Sequence, residues 1–162
     1  MDPVHFTGTE VLTMALRIEE NGFEYYTGAA RASKSKALKT LFKTLAEQEK
    51  DHIKVFLGLK GQLPEHETPA ASDPYTDEAA LYLNAIADTK VFTSPGEGKK
   101  LASRIKSEKQ ALTCAIGMEK DSILFYYELL KMIRGKDMVV VERLIEQEKE
   151  HLRKLKQAFV NL

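Results

Sequence analysis

Two eight-residue stretches decide the fold of this chain: Leu45-Ala-Glu-Gln-Glu-Lys-Asp-His52 and Leu144-Ile-Glu-Gln-Glu-Lys-Glu-His151. The second stretch follows the first at a distance of 99 residues and repeats its Leu, its Glu-Gln-Glu-Lys and its His. Each stretch ends in Glu-x-x-His, a spacing that places both side chains on one face of a helix. One metal ion could therefore bind Glu49 with His52, and another could bind Glu148 with His151.

The repeat extends into the segment that precedes each motif. A shift of 100 residues aligns Leu12, Thr13, Ala15, Glu19 and Tyr26 with Leu112, Thr113, Ala115, Glu119 and Tyr126. An internal duplication predicts two similar halves that pack about an approximate twofold axis. Each half then contributes the same residue types to a central site, so every candidate ligand occurs twice.

Four long segments carry apolar residues at three- and four-residue spacing, which predicts an all-α protein. The first two segments form a predicted helical hairpin over residues 7–61, which opens at the capping box Thr7-Gly-Thr-Glu10. The last two form a second hairpin over residues 107–162, which opens at Ser107-Glu-Lys-Gln110. Residues 62–106 are predicted to be a crossover. We expect one domain over the whole chain, a four-helix bundle of two duplicated hairpins joined by a long helical crossover.

Glycine and proline set the predicted ends of the helices. The third long helix is expected to end at Arg134-Gly135, and the fourth to run from Lys136 almost to Leu162. Within the crossover, short helices are predicted over residues 77–88 and from Ser94-Pro-Gly-Glu97 onward.

Composition excludes several classes of function. The 24 basic and 24 acidic residues balance to a formal net charge of zero, so no long-range field attracts nucleic acid or anionic lipid. No apolar run reaches the roughly 20 residues of a membrane span, and no signal peptide is recognisable, so we expect a soluble, cytoplasmic protein. The single cysteine, Cys114, excludes an internal disulfide and a cysteine-built metal site. Any metal ion must therefore be bound by oxygen and nitrogen.

The candidate ligands point inward in the predicted helices. Both Glu-x-x-His motifs lie within stripes of apolar residues at helical spacing, and so do Glu19 and Glu119. In a hairpin, two residues lie at the same height when they are equally far from the turn. Glu19 and Glu49 are equally far from residue 34, which lies in a polar turn predicted over residues 31–36. Glu119 and Glu148 are equally far from the point between residues 133 and 134, beside Gly135. Each hairpin therefore brings a lone Glu level with a Glu-x-x-His motif.

Four carboxylates in an apolar interior need compensation by positive charge. Two divalent metal ions would neutralise them, and two imidazoles would complete the ligand set. This mixture of oxygen and nitrogen suits iron, while manganese and zinc stay open. The alternative without metal is a helical interaction module whose buried carboxylates pair with lysines. The predicted ligands are Glu19, Glu49, His52, Glu119, Glu148 and His151.

Two tyrosines follow the lone glutamates by seven residues, which is two turns along the same helix face. Tyr26 and Tyr126 are either core aromatic residues or neighbours of the site that bond a ligand carboxylate or donate an electron. His5 and His66 occur in terminal or loop sequence, and we interpret them as surface residues without a role.

The ligand pattern resembles that of a known family. Glu19, Glu119 and the two Glu-x-x-His motifs look like the ligand set of ferritin-like di-iron carboxylate proteins. The phrases ALRIEENGFEYY and AIGMEKDSILFYY are most similar to the rubrerythrin branch. The resemblance covers both hairpins.

The resemblance implies roles for the ligands and a function. By analogy, Glu49 and Glu148 bridge two iron ions, the two lone glutamates are terminal ligands, and each His binds one ion. The implied activity is the reduction of hydrogen peroxide or oxygen at the reduced di-iron site. The alternative is a ferroxidase that handles, stores or detoxifies iron with the same residues.

The chain departs from the family pattern in two places. Rubrerythrins usually carry a rubredoxin domain that supplies electrons, whereas this sequence has only one cysteine. We therefore expect an external electron donor, such as a separate rubredoxin. Rubrerythrin peroxidases tend to have an extra Glu one turn after the third-helix ligand, where this chain has Ser122.

We expect a homodimer, and it stays open whether the crossover passes the second hairpin to the neighbouring chain.

Overall fold

Five helices with defined bounds form the described part of the chain. The computed structural model describes residues 7–63, 78, 81–83, 85, 94–133 and 135–162. In chain order the helices are α1 (Gly8–Ala32), α2 (Lys36–Lys60), α3 (Glu97–Ser103), α4 (Glu108–Met132) and α5 (Lys136–Val160). No strand occurs among the described residues, and the prediction of an all-α protein is confirmed.

The predicted capping residues begin α1 and α4. The Thr7 side chain accepts a hydrogen bond from the Glu10 backbone N–H, and the Glu10 carboxylate accepts one from the Thr7 N–H. Ser107 caps α4 by accepting from the Gln110 backbone N–H. The Gln110 side chain accepts from the Lys106 N–H instead of the Ser107 N–H, so the second predicted capping box is only half formed.

Two predicted helix ends differ slightly from the structure. The third long helix was expected to reach Arg134-Gly135, but α4 ends at Met132 because Ile133 is already extended, with a ψ of 162°. The fourth long helix was expected to run almost to Leu162, and α5 ends at Val160. Both differences lie outside the segments that carry the candidate ligands.

The crossover is described only in part. Its helix α3 begins at Glu97, within the predicted start Ser94-Pro-Gly-Glu97. The other predicted crossover helix, over residues 77–88, lies mostly outside the described residues, and of its residues 78, 81–83 and 85 are helical. His5 and His66 also lie outside the described residues.

The four long helices pack as two hairpins. α1 lies along α2, α4 lies along α5, and the hairpins meet where α1 contacts α4 and α2 contacts α5. Each long helix has 25 residues, or about 37 Å at 1.5 Å per residue. The fully buried side chains include Tyr25, Phe42, Phe56, Phe125 and Leu155. Within the described residues, every helix is too short or too polar to span a membrane.

The short helix α3 packs against α1 through Asn21, which is 2% exposed. The Asn21 side chain donates to the Ser94 carbonyl at 3.0 Å and accepts from the Gly98 N–H at 3.1 Å. A Cβ at Gly98 would lie 1.9 Å from the Asn21 carbonyl oxygen, so only glycine permits this approach. Asn21 therefore attaches the end of the crossover to the first hairpin.

Candidate metal centre

The structure brings together all six residues that the sequence singles out as ligands. They come from the four long helices: Glu19 from α1, Glu49 and His52 from α2, Glu119 from α4, and Glu148 and His151 from α5. Each of them is 4% exposed or less. The apolar stripes direct these polar side chains inward, and the equal distances from the turns place them at one level.

The ligand atoms form two groups. The first group is Glu19, Glu49, His52 and Glu148, and the second group is Glu49, Glu119, Glu148 and His151. Within each group, ligand atoms from all four residues lie within 4.8 Å of one another. Glu49 and Glu148 belong to both groups, so their carboxylates lie between two candidate metal positions. This placement is the one expected of bridging ligands.

The two imidazoles approach the carboxylates with their Nδ1 atoms. Nδ1 of His52 lies 3.2 Å from Glu19 Oε2 and 2.8 Å from Glu148 Oε1. Nδ1 of His151 lies 3.2 Å from Glu49 Oε1 and 3.2 Å from Glu148 Oε2. The two rings are stacked with their centroids 5.5 Å apart. Each histidine therefore faces the Glu-x-x-His carboxylate of the opposite hairpin.

Tyr26 and Tyr126 connect the two hairpins at this centre. The Tyr26 hydroxyl donates to Glu119 Oε1, and the Tyr126 hydroxyl donates to Glu19 Oε1. Both tyrosines are 1% exposed or less. Each one is thus bonded to the lone glutamate of the opposite hairpin. Of the interpretations left open by the sequence, the structure favours bonding to a ligand carboxylate, and electron donation stays a prediction.

Burial and neighbouring charges set the protonation of the carboxylates. Desolvation raises the pKa of Glu49 and of Glu119 well above the ordinary value, and the charge of Glu148 raises both further. Burial also opposes ionisation of Glu148, but interactions with Glu119, His151 and His52 outweigh burial and lower its pKa. Before a metal ion binds, the surroundings therefore favour the protonated form of Glu49 and Glu119 and the ionised form of Glu148.

Both histidines bind a proton tightly. Burial by itself lowers the pKa of His52, but the attraction of Glu19 and Glu148 outweighs it and raises this pKa to about 11. At His151, Glu119 and Glu148 overcome burial in the same way and raise the pKa to about 10. Protons thus provide positive charge among the carboxylates, as metal ions would.

Several buried polar atoms of the centre have no hydrogen-bond partner. Among the described residues these atoms include Glu49 Oε1, Glu148 Oε1 and both ring nitrogens of His151. A buried polar atom without a partner costs about 1–3 kcal/mol. Divalent ions placed between the carboxylates and imidazoles would satisfy the oxygens and one nitrogen of each ring. The residues therefore fit a pair of metal ions with oxygen and nitrogen ligands.

Gly22 lies beside the centre and was not predicted to do so. A Cβ at Gly22 would lie 3.0 Å from Glu49 Oε2, so α1 leaves room there for the carboxylate. The available signal was the glycine itself, because Gly in a helix interior costs roughly 0.5–1 kcal/mol relative to Ala. Its counterpart in the repeat is Ser122, whose hydroxyl donates to the Met118 carbonyl of its own helix at 3.0 Å.

Tyr25 and Cys114 form a contact next to Tyr26. Tyr25 is fully buried, donates to the Ala111 carbonyl at 2.7 Å, and packs edge-on against Tyr26. Cys114 is half-buried and lies beside the Tyr25 hydroxyl. The sequence offered no signal for Tyr25 beyond its aromatic ring.

A solved structure described as a ferritin-like diiron-carboxylate protein from Thermotoga maritima is similar to this chain, with a TM-score of 0.71 and 28% sequence identity. The similarity covers 96% of this chain and 95% of that protein. The fold is therefore that of a ferritin-like diiron-carboxylate helical bundle.

The sequence model of the Rubrerythrin family matches residues 10–159. This chain therefore belongs to the rubrerythrin family, and the resemblance seen in its ligand pattern is confirmed. No curated protein matches the sequence.

Proposed function

We propose that this protein binds two iron ions at the candidate metal centre and reduces hydrogen peroxide or oxygen there. The observation that carries the proposal is the pair of four-residue groups that share Glu49 and Glu148. Membership of the rubrerythrin family and similarity to a diiron-carboxylate protein support iron as the metal.

Iron, when bound, supplies electrons and polarises the oxygen atoms of the substrate as a Lewis acid. The chain provides an electrically balanced site, because four carboxylates offset the charge of two divalent ions. The shared Glu49 and Glu148 would hold both ions, and the remaining Glu and His of each group would hold one. Manganese and zinc are accommodated by the same donor atoms.

The residues around the ligands orient them and keep water out. Tyr26 and Tyr126 each hold one oxygen of a lone glutamate, which fixes the orientation of that carboxylate. At Glu19 the other oxygen, Oε2, faces His52 Nδ1. The Tyr26 ring stacks on Phe42, and the Tyr126 ring packs against Phe56. These aromatic contacts enclose the carboxylates in apolar surroundings, where electrostatic interactions are stronger than in water.

Anaerobic titration with Fe(II) tests the proposal, and saturation near two irons per chain is expected. Replacing Glu49 and Glu148 by Ala removes both shared carboxylates and is expected to abolish this stoichiometry. The matched control replaces Glu47 and Glu146, which precede them by two positions in each repeat and have side chains 74% and 66% exposed. This control variant is expected to bind two irons.

A wild-type chain that binds no Fe(II), or a Glu49 and Glu148 double variant with unchanged stoichiometry, would overturn the metal centre. The Fe(II)-loaded protein is then mixed with peroxide and with oxygen in separate runs. Faster oxidation by peroxide supports peroxide reduction, whereas faster oxidation by oxygen supports oxygen activation or iron oxidation.

A ferroxidase that stores or detoxifies iron is the second candidate, with Fe(II) as the substrate. Ser122 favours this candidate, because it occupies the position at which rubrerythrin peroxidases tend to have an extra Glu. Ser122 is 8% exposed and its hydroxyl is bonded to the Met118 carbonyl, so it supplies no carboxylate to the centre. A shell-forming assembly measured by light scattering would support storage, and a dimer would support the first candidate.

We further propose that the protein is a cytoplasmic homodimer that receives electrons from an external donor, such as a separate rubredoxin. Residues 1–162 contain one cysteine, Cys114, and a rubredoxin-type site needs four cysteine ligands, so the proposed donor lies outside these residues. Rapid re-reduction of the oxidised protein by reduced rubredoxin, followed by absorption, tests this part of the proposal.

A further inference from the structure

The two groups at the metal centre differ in how their ligand atoms are engaged. In the first group, His52 Nδ1 forms a hydrogen bond with Glu19 Oε2 at 3.2 Å. The other oxygen of Glu19, Oε1, accepts from the Tyr126 hydroxyl. Because Tyr126 holds Oε1, Oε2 is the oxygen that remains to bind a metal ion. Glu19 Oε2 and His52 Nδ1 are therefore both candidate ligand atoms, and they are hydrogen-bonded to each other.

The second group has no equivalent bond between its histidine and its lone glutamate. His151 Nδ1 lies 3.5 Å from Glu119 Oε1, the oxygen that accepts from the Tyr26 hydroxyl, and forms no hydrogen bond with it. The same nitrogen lies 3.2 Å from Glu49 Oε1 and from Glu148 Oε2, again without a hydrogen bond. His151 is fully buried and Glu49 Oε1 is itself without a partner.

The internal repeat makes the two groups a matched pair, since His52 corresponds to His151 and Glu19 to Glu119. A metal ion that enters the first group must replace the His52 to Glu19 hydrogen bond. A metal ion that enters the second group breaks no such bond and gives a partner to His151 Nδ1, which has none. Glu49 Oε1 beside His151 and Glu148 Oε1 beside His52 both lack a partner, so the carboxylate oxygens do not distinguish the two groups. Because hydrogen bonds to charged groups are stronger than average and unpaired buried atoms are costly, binding to the second group is favoured.

We propose that the two metal positions fill in order. A first divalent ion binds to the second group, which contains Glu119 and His151, and a second ion binds afterwards to the first group, which contains Glu19 and His52. This inference rests on the proposed function, because it requires that the centre binds metal. The loss of one charged hydrogen bond predicts that the first step is roughly tenfold to hundredfold tighter than the second.

Anaerobic titration of the full chain with Co(II), followed by visible absorption and calorimetry, measures the two steps. The wild-type chain is expected to show one tight and one weaker step. His151→Gln is expected to remove the tight step, whereas His52→Gln is expected to keep the tight step and remove the weaker one. Circular dichroism verifies that both variants remain helical.

Crystals of the wild-type chain with one equivalent of Co(II) provide a measurement that needs no variant. Anomalous scattering is expected beside His151 and not beside His52. Two equal steps, or loss of the tight step in His52→Gln, would overturn the order of filling and leave the metal centre intact. No binding of Co(II) to the wild-type chain would overturn the proposed function together with this inference.

Discussion

At the scale of single residues, two tyrosine hydroxyls determine how the lone glutamates face the metal centre. Burial raises the pKa of Tyr26 well above its ordinary value, and the charges of nearby glutamates raise it further. The pKa of Tyr126 is raised for the same reasons. Both hydroxyls therefore keep their protons at neutral pH and act as donors. Each hairpin in this way orients a ligand that belongs to the other.

Removing either hydroxyl is expected to weaken metal binding. Tyr26→Phe and Tyr126→Phe should each lower the affinity for Fe(II) or Co(II) about tenfold or more, because a carboxylate loses the bond that orients it. The fold should persist, since the phenyl ring fills the same space. Tyr127→Phe is the matched control, because Tyr127 is 43% exposed and its ring contacts Lys149. Unchanged affinity in both test variants would contradict the orienting role.

At the scale of elements, α3 attaches the end of the crossover to the bundle. Its contact with α1 depends on one glycine from each helix. A Cβ at Gly28 of α1 would lie 2.4 Å from the Cβ of Ala102, and a Cβ at Gly98 of α3 would meet the Asn21 backbone. The close approach allows the Asn21 side chain to bond to two backbone groups of the crossover.

A methyl group at this contact is expected to destabilise the fold. Gly98→Ala should lower the free energy of unfolding by about 1–3 kcal/mol, because the backbone of α1 cannot yield as a side chain does. Gly117→Ala is the control within α4, where an added Cβ would meet no atom within 4 Å. This control should be as stable as wild type or more stable by up to about 1 kcal/mol. Denaturant unfolding measures both, and equal stabilities would contradict the close contact.

At the scale of the whole molecule, stability and metal binding are linked through protons. Glu49, Glu119, His52 and His151 all have a pKa raised by the folded structure. A raised pKa contributes stability below the unfolded pKa, and this contribution is lost as pH rises through the folded pKa. Metal binding requires that the same groups release their protons. Protons and metal ions therefore compete for one buried site.

The competition predicts opposite pH dependences with and without metal. From about pH 5 to about pH 8, the free energy of unfolding of the chelator-treated chain should fall, because the two glutamates and then the two histidines lose their contributions. The contribution of Glu148 to the free energy of unfolding stays constant across this range, because its pKa is lowered. The increment that bound metal adds should grow with pH. Denaturant unfolding at several pH values measures both trends, and a chelator-treated chain that gains stability would contradict them.

Helices and candidate ligands were predictable because the signals are local. The start of α1 at Thr7 follows from a capping box within four residues, and the orientation of Glu49 and His52 follows from helical periodicity. Gly22 beside Glu49 was not predictable. The sequence left open whether Tyr26 bonds a ligand carboxylate, and it did not indicate that the partner is Glu119 of the other hairpin. Those contacts join residues on different helices, and they depend on side-chain rotamers and on the offset between hairpins.

The sequence by itself determined an all-α bundle of two related hairpins and the six buried candidate ligands. Periodicity, capping and the equal distances from the turns depend only on the regular rise of a helix, so they can be read along the chain. The tertiary structure decided which atoms are shared, since Glu49 and Glu148 come within reach of both groups only when the hairpins pack together. It also decided that His52 is bonded to a glutamate while His151 is not, because that difference depends on distances and angles across the packed interior.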